Sequence, residues 1–271
     1  MRRVILRSIP RGLMVLAMAV SGPAAQPAPQ NVAPPKAQQL AAAQQKYYNL
    51  RREGLLEFQS NIQPNWKVVL GDAQTDDTLK LLAALHFSMS IDAKSKLRLD
   101  HRADLTPISP KPAAAFEQIF KQMDEAVSRF IATWSIFMLT SPFPEAASDY
   151  EFEQKAGEFR FSQRHDDGRT LTITDKNFMI TEITFFGPGF SASLKPDLEN
   201  TSNGYVLTGY TGTYQTLSGA RTTLLKVWLD YQQIEGLRLP RKVNVDTVYE
   251  GKAAQLEWLF TDYKVARASR P

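Results

Sequence analysis

The sequence contains no cysteine. Disulfide staples, thiolate metal sites and a lipid anchor attached through cysteine are therefore excluded, and the chain has to be held by its hydrophobic core alone. Histidine is scarce: His86, His101 and His165 stand far apart, without the HExxH spacing that would put two imidazoles on one metal. A serine elbow of the G-x-S-x-G type is missing, and the nearest run, Gly189-Phe190-Ser191-Ala192-Ser193, reads as a turn entering a strand. Gly209-Tyr210-Thr211-Gly212 lies in an alternating pattern with no lysine and no helix after it, which suits bulge or close-packing glycines better than a phosphate loop. The expectation is a protein with no metal, no cofactor and no enzymatic activity. An enzyme would most readily be sought at Asp100, His101 and Arg102.

Long apolar runs are absent as well. Leu13 to Val20 and Ile131 to Leu139 are each far shorter than the roughly 20 residues that cross a bilayer. The first of these follows Arg2, Arg3, Arg7 and Arg11 and precedes small residues through Ala25, the layout of a secretory signal peptide over residues 1–25 with cleavage near Ala24 or Ala25. Those four arginines also account for the formal charge of +4: without them, 28 basic side chains face 28 acidic ones. The remaining chain has no electrostatic footprint for nucleic acid, so any binding surface is expected to be apolar or local. Gln26 to Lys36 is Pro-rich and reads as an extended tether. From Ala37 onward no further linker, repeat or low-complexity tract occurs, so residues 37–271 are expected to form one domain.

What the chain does have is one long amphipathic stretch between Pro112 and Pro142. Phe116, Ile119, Phe120, Met123, Val127, Phe130, Ile131, Trp134, Phe137 and Met138 recur at helical spacing, while Glu117, Lys121, Asp124, Glu125 and Ser128 fall on the other side. Glu117 with Lys121 and Glu125 with Arg129 sit at i,i+4 spacing, as on a solvated helix face. Pro112 suits a first turn, and Ser141-Pro142-Phe143-Pro144 ends the helix.

Around this stretch, Ala37 to about Gly54 reads as a helix with Leu40, Ala43, Tyr47 and Leu50 on one side. Leu56, Phe58, Ser60 and Ile62 then alternate as a first strand, interrupted at Pro64 and followed by Val68-Val69-Leu70. Asp76 and Asp77 open a short helix, and strand signals follow from Phe87 to Ile91 and from Lys94 to Leu99, the latter with Lys94, Lys96 and Arg98 on one solvated face. After the long helix come only strands and turns. Phe159 to Ile173 is a hairpin around Asp166-Asp167-Gly168, Asn177 to Phe186 turns at Gly187-Pro188-Gly189, and Phe190 to Pro196 leads into a polar loop. A final series runs from Tyr205, with turns at Ser218-Gly219, Glu235-Gly236 and Glu250-Gly251. Helices gathered in the first half and strands in the second indicate an α+β fold, a large curved antiparallel sheet whose concave face is covered by helices.

The order of these elements, with Leu239-Pro240 after Glu235-Gly236 and a last strand whose aromatic rhythm runs into Asp262-Tyr263-Lys264, resembles the LolA/LolB-like superfamily. The resemblance spans Leu56 to Val265. It implies a half-barrel with a helical lid over an apolar cavity, in a periplasmic carrier of outer-membrane lipoproteins or a related lipid-binding protein. By strand position Arg98 is the candidate for the carriers' functional arginine. The chain departs from the carrier pattern in its Pro-rich tether, in the helix before Phe87 and in the length of the middle helix.

The candidate ligand-binding residues are Phe116, Phe120, Phe130, Trp134 and Phe137 on the lid, with Val227, Trp258 and Phe260 on the sheet. The expected partner is a lipid or a lipidated protein, with membrane-associated envelope proteins as further partners and the protein itself a monomer. The alternative is a cell-envelope structural module of the same fold with a filled core.

Overall fold

The computed structural model describes residues 35–104, 110–216, 222–249 and 251–268. The expected signal peptide, nearly all of the Pro-rich segment, the turn at Ser218-Gly219 and Glu250 lie outside the described residues. In chain order the elements are α1 (Pro35–Gln45), β1 (Leu55–Pro64), α2 (Trp66–Leu70) with a 3-10 turn at Gly71–Ala73, α3 (Asp76–Ala83), β2 (Leu85–Ile91), β3 (Leu97–Ala103) and α4 (Pro110–Met138). There follow β4 (Tyr150–Lys155), β5 (Glu158–His165), β6 (Gly168–Thr174), β7 (Ile180–Gly187), β8 (Phe190–Thr201), β9 (Gly204–Thr216), β10 (Thr222–Ile234), β11 (Leu237–Tyr249) and β12 (Lys252–Arg267). The fold is α+β, as expected: all 12 strands join one open antiparallel sheet in the order β3-β2-β1-β12-β11-β10-β9-β8-β7-β6-β5-β4.

The long helix α4 has the apolar face read from the sequence, and that face is buried from Phe116 to Met138. Its side chains touch strands that are far apart in the sheet. Phe120 lies 5.6 Å from Phe87 of β2 and stacks on His101 of β3 at 4.1 Å. Phe130 lies 6.1 Å from Trp258 and 6.0 Å from Phe260, both of β12. Trp134 meets Phe58 of β1 edge-on at 6.1 Å and donates its indole N–H to Tyr231 Oη of β10 at 3.2 Å. Twelve strands laid flat would span about 50 Å at their usual spacing. A helix of 29 residues is about 43 Å long and can reach many of them by lying across the strands. Register shifts opposite Asp230/Tyr231, Asp197/Leu198 and Gln59/Asn61 supply local bends, because a bulge adds a residue to one strand only and increases its twist. Pro240 sits at the first of these. Tyr263 Oη donates to its carbonyl at 2.7 Å, and there a strand tolerates a residue without an N–H.

The elements differ from the sequence expectation in several places, the first three because of contacts with distant segments. Helix α1 ends at Gln45, not near Gly54, because Tyr48 N–H donates to Tyr205 O at 3.0 Å and Tyr205 N–H to Lys46 O at 2.7 Å, pulling this segment into a bridge with β9. That bridge needs glycine at 204, where φ is +108° and an added Cβ would lie 2.6 Å from Lys46 O. Leu56 is 43% exposed, not buried beside Phe58 and Ile62, because a register shift between Leu55 and Glu57 puts Leu55 inside in its place. Val68 to Leu70 belongs to a short helix, since Asn65 leaves the ladder after Pro64 and bonds Glu257 through both its N–H (2.9 Å) and its amide (2.8 Å). Strand β8 runs through Pro196 to Thr201 where a loop was expected. Strand β4 adds a pairing beyond the Phe159 hairpin, with Phe152 opposite Phe161. In α3 the two acids occupy the first turn and Thr75 caps it, accepting from Thr78 N–H at 3.2 Å.

Burial pushes the phenols of Tyr47, Tyr210, Tyr231 and Tyr263 well above their usual value of 10.0. The folded state therefore keeps protons that the unfolded chain releases. Stability from these groups is complete below the unfolded value and is lost as pH rises past it. Denaturant midpoints should hold steady up to about pH 9 and fall steeply by about pH 11, and a flat profile across that range would show that these rings are not held as described.

Candidate functional site

Between α4 and strands β8 to β12 lies a cavity of about 90 Å³. Small side chains leave the space. Ala126 and Thr133 of α4 face Ala192 of β8, Gly212 of β9 and Thr223 of β10, whereas bulky rings fill the rest of the core. The strand register arranges the wall in levels: Tyr214 is opposite Thr223, Gly212 opposite Leu225, and Tyr210 opposite Val227, which in turn faces Val245. Leu194, Gly212, Tyr214 and Leu225 are half-buried, while Tyr210, Val227 and Trp258 are fully enclosed. The cavity therefore has an open end toward Tyr214 and a closed apolar end at Val227, Trp258 and Phe130.

Few polar groups reach it. Tyr210 Oη hydrogen-bonds with Thr133, and burial of this phenol outweighs that bond in raising its pKa. The indole N–H of Trp258 is buried without a hydrogen-bond partner among the described residues, an arrangement that costs about 1–3 kcal/mol. Among the described residues the one charge on the lining is Arg129, whose side chain is 23% exposed. Its nearest ionic neighbour is Glu125 Oε2 at 3.9 Å, too far for a direct hydrogen bond. Burial pulls the guanidinium below its ordinary value, and Glu125 acts in the opposite direction.

Of the residues expected to line a ligand site, Phe130, Val227 and Trp258 stand on the cavity wall. Phe116, Phe120, Trp134, Phe137 and Phe260 are buried too but are not on the lining; Phe120, Trp134 and Phe137 pack against other rings, and Phe260 lies behind Phe130. Arg98 is not at the cavity. Leu97 and Leu99 turn inward, so Arg98 faces out and pairs with Asp100 at 3.1 Å. The lining arginine is Arg129, which the i,i+4 pattern assigns to the solvated face with Glu125. Its position three residues after Ala126 and four before Thr133 marks the stripe of small residues that opens the cavity.

A larger cleft of about 600 Å³ lies at the β1–β3 edge and has a mixed lining, with Asn61, His86, Asp100, His101 and Arg102 beside Ile62, Trp66 and Phe87 on its walls. Its ionisable groups have partners: His86 and Arg102 share Asp104 at 2.9 Å and 3.5 Å, and His101 meets Asp124 of α4 at 3.4 Å. Strand alternation points His101 inward onto Phe120, while Asp100 and Arg102 point outward, so these three neighbours in sequence do not converge on one point. Among the described residues no group of three or more His, Cys, Asp or Glu could hold a metal. No helix among them is long and apolar enough to cross a membrane. No family model matches the chain, and neither a curated protein nor a solved structure matches it.

Proposed function

We propose that this is an exported, periplasmic binding protein of the LolA/LolB-like half-barrel type, which shelters an acyl chain of a lipid or lipidated protein beneath α4. The observation that carries the reading is the apolar cavity beneath α4, closed at Trp258 and open at Tyr214. Interiors are normally packed to crystal density, so a cavity lined by small residues stands out. Each methylene sheltered there is worth about 0.8 kcal/mol. The enclosed volume suits a short alkyl segment, and a longer chain enters by displacing α4 from β8 to β10. The second reading, a non-enzymatic envelope module, draws on the close packing of Phe116, Phe120, Trp134, Phe137 and Phe260.

Native mass spectrometry of the protein purified without detergent decides between them. The carrier reading expects a mass increment that organic extraction identifies as an acyl species. An empty protein that also fails to take up a fluorescent acyl probe leaves the envelope-module reading.

A further inference from the structure

We propose that the cavity takes a single-chain anionic amphiphile, its carboxylate or phosphate head paired with Arg129 and its alkyl tail toward Trp258. The proposal rests on the reading of the cavity as an acyl site and adds the head-group charge and the number of chains. Among the described residues the lining has one formal charge, and it is positive. Arg129 belongs to the same helical stripe as Ala126, Phe130 and Thr133, which line the cavity with it. Its side chain is half-buried and makes no hydrogen bond among the described residues, and Glu125 stands 3.9 Å away. A planar fork of donors in that state is matched by two oxygens of a carboxylate or phosphate, which it can bind bidentately. Phe130, Val227 and Trp258 are enclosed on the same lining and give a tail a largely apolar end, the indole N–H of Trp258 being its unpaired polar atom. A volume of about 90 Å³ admits one chain segment. An apolar cavity of about 150 Å³ is filled by benzene alone.

The test compares dodecanoate, dodecyl phosphate, dodecanol and dodecylamine, each below its micellar concentration, by displacement of a fluorescent acyl probe. The wild-type chain is expected to prefer the two anions to the alcohol by about tenfold, the size of one charge-assisted contact, and to disfavour the amine. Arg129→Gln should bring the anions level with the alcohol without weakening the alcohol. Arg129→Lys should restore part of the preference, and Glu125→Gln should strengthen it. A carboxylate-only or phosphate-only preference tells a fatty acid from a phosphate-headed lipid. Equal binding of all four compounds, or an anion preference that survives Arg129→Gln, overturns the head-group assignment and leaves the acyl site standing. No binding of any of them removes both.

Discussion

Replacing Trp134 with alanine should cost about 3–5 kcal/mol, the range for truncating a large buried ring. Trp134 is 0% exposed, packs edge-on against Phe58 and donates to Tyr231 Oη, whose own hydroxyl donates to Leu207 O at 2.5 Å. One side chain thus ties α4 to β1, β9 and β10. In a domain of this size each kcal/mol moves the melting temperature by about 2–4 °C, so a drop of at least about 6 °C is expected. The control is Trp228, 36% exposed on the outer face with Lys226 Nζ 4.7 Å above its ring. Trp228→Ala should change stability by less than about 1 kcal/mol. Similar losses in thermal scans of the two variants would mean that α4 is not seated in the sheet as described.

Gly212→Leu should abolish acyl-probe binding while leaving the fold intact. The backbone at Gly212 lies outside the left-handed region, and an added Cβ would meet Leu225 Cβ and Cδ2 at 3.6 Å and Ser193 O at 3.9 Å, ordinary contact distances. The rest of the side chain extends into the cavity that a ligand's methylenes would occupy. Filling a void recovers dispersion contacts that an empty wall lacks, so the melting temperature is expected to hold or rise. At least about a tenfold loss of affinity is expected, the equivalent of excluding two methylenes. Retained affinity in a folded variant would move the ligand elsewhere, with the larger cleft beside β1 to β3 as the next place to look. Gly209, three residues earlier, would not serve: an added Cβ there would lie 2.6 Å from Val227 O, and the fold itself would suffer.

The sequence makes some of this legible and hides the rest, and the division follows the range of the forces involved. The hairpins at Gly168 and at Gly187 to Gly189 can be read directly because their turn chemistry is local. The apolar face of α4 is equally plain, since its periodicity runs unbroken from Phe116 to Met138. Leu56 cannot be placed in advance, because its side is set by a register shift against β12, about two hundred residues away, and not by its own alternation. The end of α1 is hidden for the same reason: Tyr47 and Tyr48 look helical until Tyr205 claims their backbone. In the candidate site, large aromatics draw attention as binding residues, yet five of the eight named are packed core. The cavity is written in what is small, namely Ala126, Thr133, Ala192 and Gly212. Arg129 is the instructive miss, since a charge at i,i+4 from an acid looks solvated until the fold shows what lies beneath it.

The place of β12 between β1 and β11 bears on how the molecule is made. From β4 to β11 every strand pairs with its neighbour in sequence, so that ribbon can zip up as it is delivered. The β1–β3 unit has no such local partner to join: its seam to the ribbon includes Asn61 with Asp262, 201 residues apart, and Gly54 O accepting from Ala268 N–H. Two half-assembled pieces therefore have to wait for the same late strand, and a nascent or truncated polypeptide lacking it would expose both raw seams to any chaperone or protease nearby.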